Sequence, residues 1–213
     1  VPRRCPAGCY LDSMARFFLA LAGAALCAAS CLPAQTLSQG ERDRAMSELH
    51  AARKAFVDLV SSVSPAQYNF KPSATAWSIA EIAEHITLTE PALAKFATSG
   101  LANPADPERL SQTKGKDQSI LTGVADRSQR ATAPPSLAPK KTFASRAALL
   151  GEFNKARYAN IAYLRDTKDP LRAHMVDAGG MPMDCYQVYL MIAAHTHRHI
   201  AQMKEVQANQ AYP

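Results

Sequence analysis

Near the C-terminal end of the chain, the stretch AAHTHRHIAQMKEV, Ala193 to Val206, sets His195 and His199 four residues apart. Positions i and i+4 share one helix face, about 5–6 Å apart at Cβ, so two imidazoles at this spacing can share a metal ion. Tyr189, Ile192, Thr196, Ile200, Met203 and Val206 recur at helical period, and the two histidines lie along or beside that stripe. An imidazole facing a core needs a hydrogen bond or a metal, because a buried polar group without a partner costs on the order of 1–3 kcal/mol. Taken alone, the pair also fits ordinary hydrogen-bonded or surface histidines, and a third ligand is what separates the two readings.

His85 is the candidate third ligand. It lies in WSIAEIAEHI, Trp77 to Ile86, where Ser78 and Glu81 have the spacing of a capping box that starts a helix. Trp77 precedes the cap and can staple the helix entry to the core. Glu81 lies one turn before His85, on the same face.

Four elements must position these residues. Met46, Leu49, Ala52, Phe56, Leu59, Val60 and Val63 predict a first amphipathic helix from Gln39 to about Val63, ended by Pro65. The second begins at Ser78 and carries His85, and Pro91 is expected to kink or split it. Leu149, Leu150, Phe153, Ile161 and Leu164 predict a third from Ser145 to Thr167, and the last begins near Asp184. Between the second and third, Ser99 to about Thr142 is rich in proline and glycine, with a short helical pattern only at Gln118 to Arg127. A connection this long reads as a functional segment or as a crossover joining parallel helices. No strand pattern stands out. The expectation is an all-α four-helix bundle with a long crossover between helices 2 and 3, whose core can build a metal site from facing side chains.

Composition agrees with a globular domain and narrows the partners. The 213 residues are 47% hydrophobic and 20% charged, with a formal net charge of +6. No dense basic run or aromatic-interleaved basic patch points to nucleic acid. Residues 1–34 read as an N-terminal extension and secretory signal: Arg3, Arg4 and Arg16, then the apolar run Phe17 to Ala34. Met14 opens a compact signal and cleavage after Ala34 would leave residues 35–213 as a periplasmic or secreted domain, with no membrane attachment. A lipoprotein cut before Cys31, which would anchor the domain by a lipid, is the alternative. Cleavage after Ala34 would also remove Cys5, Cys9, Cys27 and Cys31, leaving Cys185 and no internal disulfide. Cys185, ten residues before His195, reads as a core cysteine.

WSIAEIAEHI, followed by DRSQRATAPPSLAP, YLRDTKDPLRAH and YQVYLMIAAHTHRHIAQMKEV, resembles the DinB-like superfamily of metal-dependent bundle proteins, over about Gln39 to Val206. The resemblance implies a metal site on His85, His195 and His199. Three neutral imidazoles suit zinc, nickel or iron(II) and leave a position open for water or substrate. Gln187, Gln202 and Glu81 are the candidates to hydrogen-bond the ligands, Glu81 being also accounted for by the capping box. His197 points away from the pair; His50 matches no motif, and His174 precedes the last helix, where it could line the rim.

Characterised relatives imply transfer of a low-molecular-weight thiol, held as thiolate by the metal, to an electrophilic small-molecule substrate. A secretion signal departs from that picture, because intracellular thiols are scarce outside the cell. Hydrolysis by metal-activated water is the second reading, with Glu81 and Glu84 as the acidic residues adjoining a ligand. A non-catalytic metal-binding bundle is the third. Pairing of two copies through helices is also compatible with the pattern.

Overall fold

The computed structural model describes residues 36–129 and 132–213. The expectations placed on residues 1–34, the signal segment and Cys31, lie outside them. Among the described residues the principal helices are α1 (Gln39–Ser62), α3 (Ile79–Ser99), α6 (Arg146–Asp166) and α7 (Cys185–Gln207). Shorter helices α2 (Pro65–Asn69), α4 (Pro107–Ser111) and α5 (Asp117–Ala125) decorate the connections. No described helix is long and apolar enough to cross a membrane.

Each long helix starts where its first residues dictate. Ser38 with Glu41, Ser78 with Glu81 and Asp184 with Gln187 form complete capping boxes on α1, α3 and α7, while the Ser145 hydroxyl accepts the Ala148 N–H on α6. Such caps satisfy backbone donors that a helix start leaves unpaired.

Arginine-to-carbonyl hydrogen bonds at opposite ends orient the bundle. Arg42, at the start of α1, donates to the carbonyls of Leu164 and Thr167 at the end of α6. Arg146, at the start of α6, donates to the carbonyls of Val60 and Val63 at the end of α1. These two helices are therefore antiparallel. Ile79 and Ile82 from the start of α3 share a core cluster with Leu149 and Phe153 from the start of α6, and with Phe56, Val60, Met203 and Val206 from the ends of α1 and α7. Hence α3 runs parallel to α6, and α1 parallel to α7. A parallel step from α3 to α6 requires the chain to travel back along the bundle, which is what residues 103–144 do. The four-helix bundle with its long second crossover is thus the observed fold.

Two expectations are corrected. Pro91 does not split α3, which runs unbroken to Ser99 with Pro91 on its exposed side. Glu90, beside it, is bonded to α6 on the opposite, buried side, so tertiary contacts hold both halves in register. The chain also contains a small antiparallel hairpin, β1 (Met175–Asp177) with β2 (Pro182–Asp184). Gly179 and Gly180, at φ +67° and +90°, supply the two left-handed positions of its tight turn. Three-residue strands are too short to leave a period-2 pattern in the sequence. The hairpin delivers the chain straight into Asp184, the cap of α7.

Candidate metal centre

His85 leaves α3 toward α7, and His195 and His199 leave successive turns of α7 toward α3. Their Nε2 nitrogens converge. His195 Nε2 lies 3.3 Å from His85 Nε2 and 3.1 Å from His199 Nε2, and one nitrogen of each ring falls within 4.8 Å of the other two. The opposite nitrogens are held by acceptors. His85 Nδ1 donates to the carbonyl of Leu137 at 2.9 Å, and His199 Nδ1 donates to Gln202 Oε1 at 2.7 Å. With Nδ1 of both rings protonated for those bonds, their Nε2 atoms carry lone pairs aimed at His195. His195 Nε2 can offer a proton to only one of them. The remaining pair sets lone pair against lone pair, an arrangement that a cation between the rings resolves. The donor set therefore fits a divalent metal bound by three neutral imidazoles.

Electrostatics keep these rings neutral. Burial pushes His195 well below its ordinary range, and its neighbours His199 and His85 add to the effect. Burial lowers His199 to about 4, with His85 contributing, and burial lowers His85 as well, against the Leu137 hydrogen bond. Trp77 packs at 5.2 Å, centroid to centroid, against the His85 ring, so the residue before the helix cap forms one wall of the centre.

The three histidines lie on the floor of a cleft of about 780 Å³. Trp77 before α3, Thr89 and Leu93 of α3, Val124 of α5, Met191 of α7, and Thr132, Pro134 and Leu137 of the crossover line it. Its rim carries charge: Arg127 forms a two-pronged ion pair with Glu205 at 2.6 and 2.8 Å. Arg198 donates to the carbonyls of Val124 and Asp126 at the end of α5, and to that of Gln129. A cation there complements the negative end of the α5 dipole.

The other sequence candidates separate cleanly. Gln202 accepts the Nδ1 proton of His199, a member of the cluster. Gln187 is two helical turns below His195 and fully buried at the start of α7, where it caps the helix and donates to the Thr113 carbonyl and Asp117. Glu81 completes the α3 capping box and pairs with Lys71 at 2.9 Å. His197 is half-buried on another face of α7, with Glu48 of α1 as its charged neighbour. His174 does not reach the rim: its Nδ1 donates to the Asn103 carbonyl, and its own carbonyl accepts the Cys185 N–H, at the opposite end of α7. Cys185 is a buried core thiol, pushed up to about 12 by burial and the Asp184 charge. Sequence reasoning missed Leu137, which acts through its backbone carbonyl and so leaves no residue-type signal.

Fold and site together define a four-helix-bundle protein with a three-histidine cluster built on its second and last long helices. The chain belongs to the DinB superfamily, whose family model matches residues 48–203. It is similar in fold to YfiT from Bacillus subtilis, described as a probable metal-dependent hydrolase with an unusual four-helix bundle topology. That likeness has a TM-score of 0.54 at 13% identity and covers 84% of this chain and 93% of that one. None of the curated proteins matches the chain.

Proposed function

We propose that this chain is a metal-dependent enzyme in which His85, His195 and His199 hold one divalent ion and the adjoining cleft takes a small-molecule substrate. The observation that carries the reading is the convergence of three neutral imidazole nitrogens on the floor of that cleft. When bound, the ion supplies a Lewis acid that acidifies a thiol or a water at its open position. The protein's own contribution is to fix the rings. Leu137 and Gln202 hold two of them by Nδ1, and the surrounding core keeps all three rings neutral.

Transfer of a low-molecular-weight thiol to an electrophilic substrate is the reaction we favour. The carboxylates near the centre are engaged: Glu81 in its cap, Glu84 with backbone amides, Glu205 with Arg127. Among the described residues none of these is left poised to take a proton from water, and a thiol, far more acidic than water, needs no such base. Hydrolysis, the activity ascribed to YfiT, is the second reading. The test is metal content by mass spectrometry of the protein purified without a histidine tag, beside His85→Ala, His195→Ala and His199→Ala. Close to one equivalent of zinc, nickel or iron in the wild type, lost in every variant, is expected. An empty wild type after reconstitution would refute the metal centre. On the cobalt-loaded protein, spectral change with added thiols selects transfer, and turnover of ester or amide substrates without thiol selects hydrolysis.

A further inference from the structure

Glu84 precedes His85 on α3, and both of its carboxylate oxygens point at the crossover. Oε1 accepts the N–H groups of Lys140 and Thr142, at 2.9 and 2.8 Å, and Oε2 accepts that of Lys141 at 3.0 Å. Lys141 adopts φ 60°, a left-handed conformation that side-chain-bearing residues avoid. That reversal turns three consecutive amides toward one point, forming a concave nest of donors of the kind that binds anions. The anion here is supplied by the chain itself. Glu84 as a residue is 5% exposed, and the three bonds its carboxylate accepts are partly buried.

Three residues before this nest lies Leu137, whose carbonyl accepts the His85 Nδ1 proton. The same short segment is thus gripped twice by neighbouring residues of α3, once by a ligand ring and once by Glu84. It also supplies Pro134 and Leu137 to the wall of the cleft.

We propose that Glu84 is a positioning residue of the metal centre: by gripping the backbone at Lys140 to Thr142 it holds the Leu137 carbonyl on His85, so that metal uptake and ordering of this cleft wall are one coupled equilibrium. The proposal rests on the metal-centre reading above. An acceptor on the outer nitrogen of a ligating histidine orients the ring and raises its basicity, and loss of such an acceptor costs ~10- to 100-fold in metal affinity. Coupling is reciprocal, so the factor by which the ordered segment tightens metal binding is the factor by which metal stabilises the segment.

The experiment uses the full chain. Zinc affinity is measured by competition with a chromophoric chelator for wild type, Glu84→Gln and Thr87→Ala. Thr87 is a buried control on the same helix, whose hydroxyl bonds only the Ala83 carbonyl within it. Amide hydrogen exchange at residues 140–142 is followed with and without zinc. Expected are a ~10- to 100-fold weaker affinity for Glu84→Gln, little change for Thr87→Ala, and slowing of the three amides by zinc in the wild type. Should Glu84→Gln lose its helical circular dichroism, the wild-type exchange carries the test. Wild type that binds zinc without slowing these amides, or Glu84→Gln that binds it as tightly, overturns the coupling and leaves the metal centre standing. Wild type that binds no zinc removes both.

Discussion

Arg157 and Glu90 meet in a two-pronged ion pair closed off from solvent, Nε to Oε1 at 2.6 Å and Nη2 to Oε2 at 2.8 Å. Arg157 also donates to the Leu49 carbonyl and to Thr196 Oγ1, and Asn160 donates to Glu90. One guanidinium therefore touches α1, α3 and α7 from its seat on α6. Its contact with Thr196 falls on the residue after His195.

Removing one partner of such a pair leaves a buried charge uncompensated, whereas removing both leaves no charge and costs only the hydrogen bonds to Leu49, Thr196 and Asn160. We expect Glu90→Gln to lose about 3–5 kcal/mol in urea unfolding. The double variant Arg157→Met with Glu90→Leu should lose much less than the single one. A single variant within about 1 kcal/mol of wild type would mean that the charge finds other compensation.

Gln202 and Gln187 look alike in sequence and differ in what they touch. Gln202→Ala removes the acceptor on His199 and should weaken zinc binding roughly 10-fold or more with stability nearly unchanged. Gln187→Ala breaks the α7 capping box and two buried hydrogen bonds, and should cost on the order of 1–3 kcal/mol while leaving zinc affinity as in wild type. Equal effects on affinity would contradict the placement of these side chains.

At the far end of α7, Arg172 is shared by Glu41, Asp117 and Asp184. Three carboxylates on one cation leave the cluster short of positive charge, and the deepest of them bears the cost. Burial pushes Asp184 up to about 6 despite Arg172 and the Gln187 N–H. The folded state thus holds this proton more tightly than the unfolded chain, so the stability it contributes is complete below about pH 4 and is lost as pH rises through 6. Asp184→Asn retains a capping side chain without the titration. The unfolding free energy of wild type minus that of Asp184→Asn should fall by up to about 3 kcal/mol between pH 4 and 7, then level off. A pH-independent difference would place the Asp184 proton elsewhere.

The parts of this protein carried by side-chain pattern were readable in the sequence. Stripes such as Leu49, Phe56 and Val60 locate the long helices, Ser78 with Glu81 marks the start of α3, and histidine spacing with a motif resemblance brings the cluster together. What escaped was carried by backbone or by distant pairing. The acceptor for His85 is a main-chain carbonyl, the partner of Glu84 is a set of main-chain amides, and Glu90 finds Arg157 across 67 residues. Pro91 misled as a break point because intrinsic helix preference ignores the neighbours that hold α3 together, such as Arg157 and Asn160 on Glu90. Gln187 misled because its helix face was weighed and its axial distance was not: eight residues before His195 it lies about 12 Å down the helix at ~1.5 Å per residue.

The crossover is held at the centre through its main chain, by the Leu137 carbonyl and the amides of Lys140, Lys141 and Thr142, and a grip of that kind is indifferent to side-chain identity. Thr132, Ala133, Pro134 and Leu137 can therefore be exchanged in evolution, or in a designed library, to reshape the cleft without disturbing what fastens the segment to α3. Under the function proposed above, substrate preference can be altered on this wall while the histidine cluster beneath it is left in place.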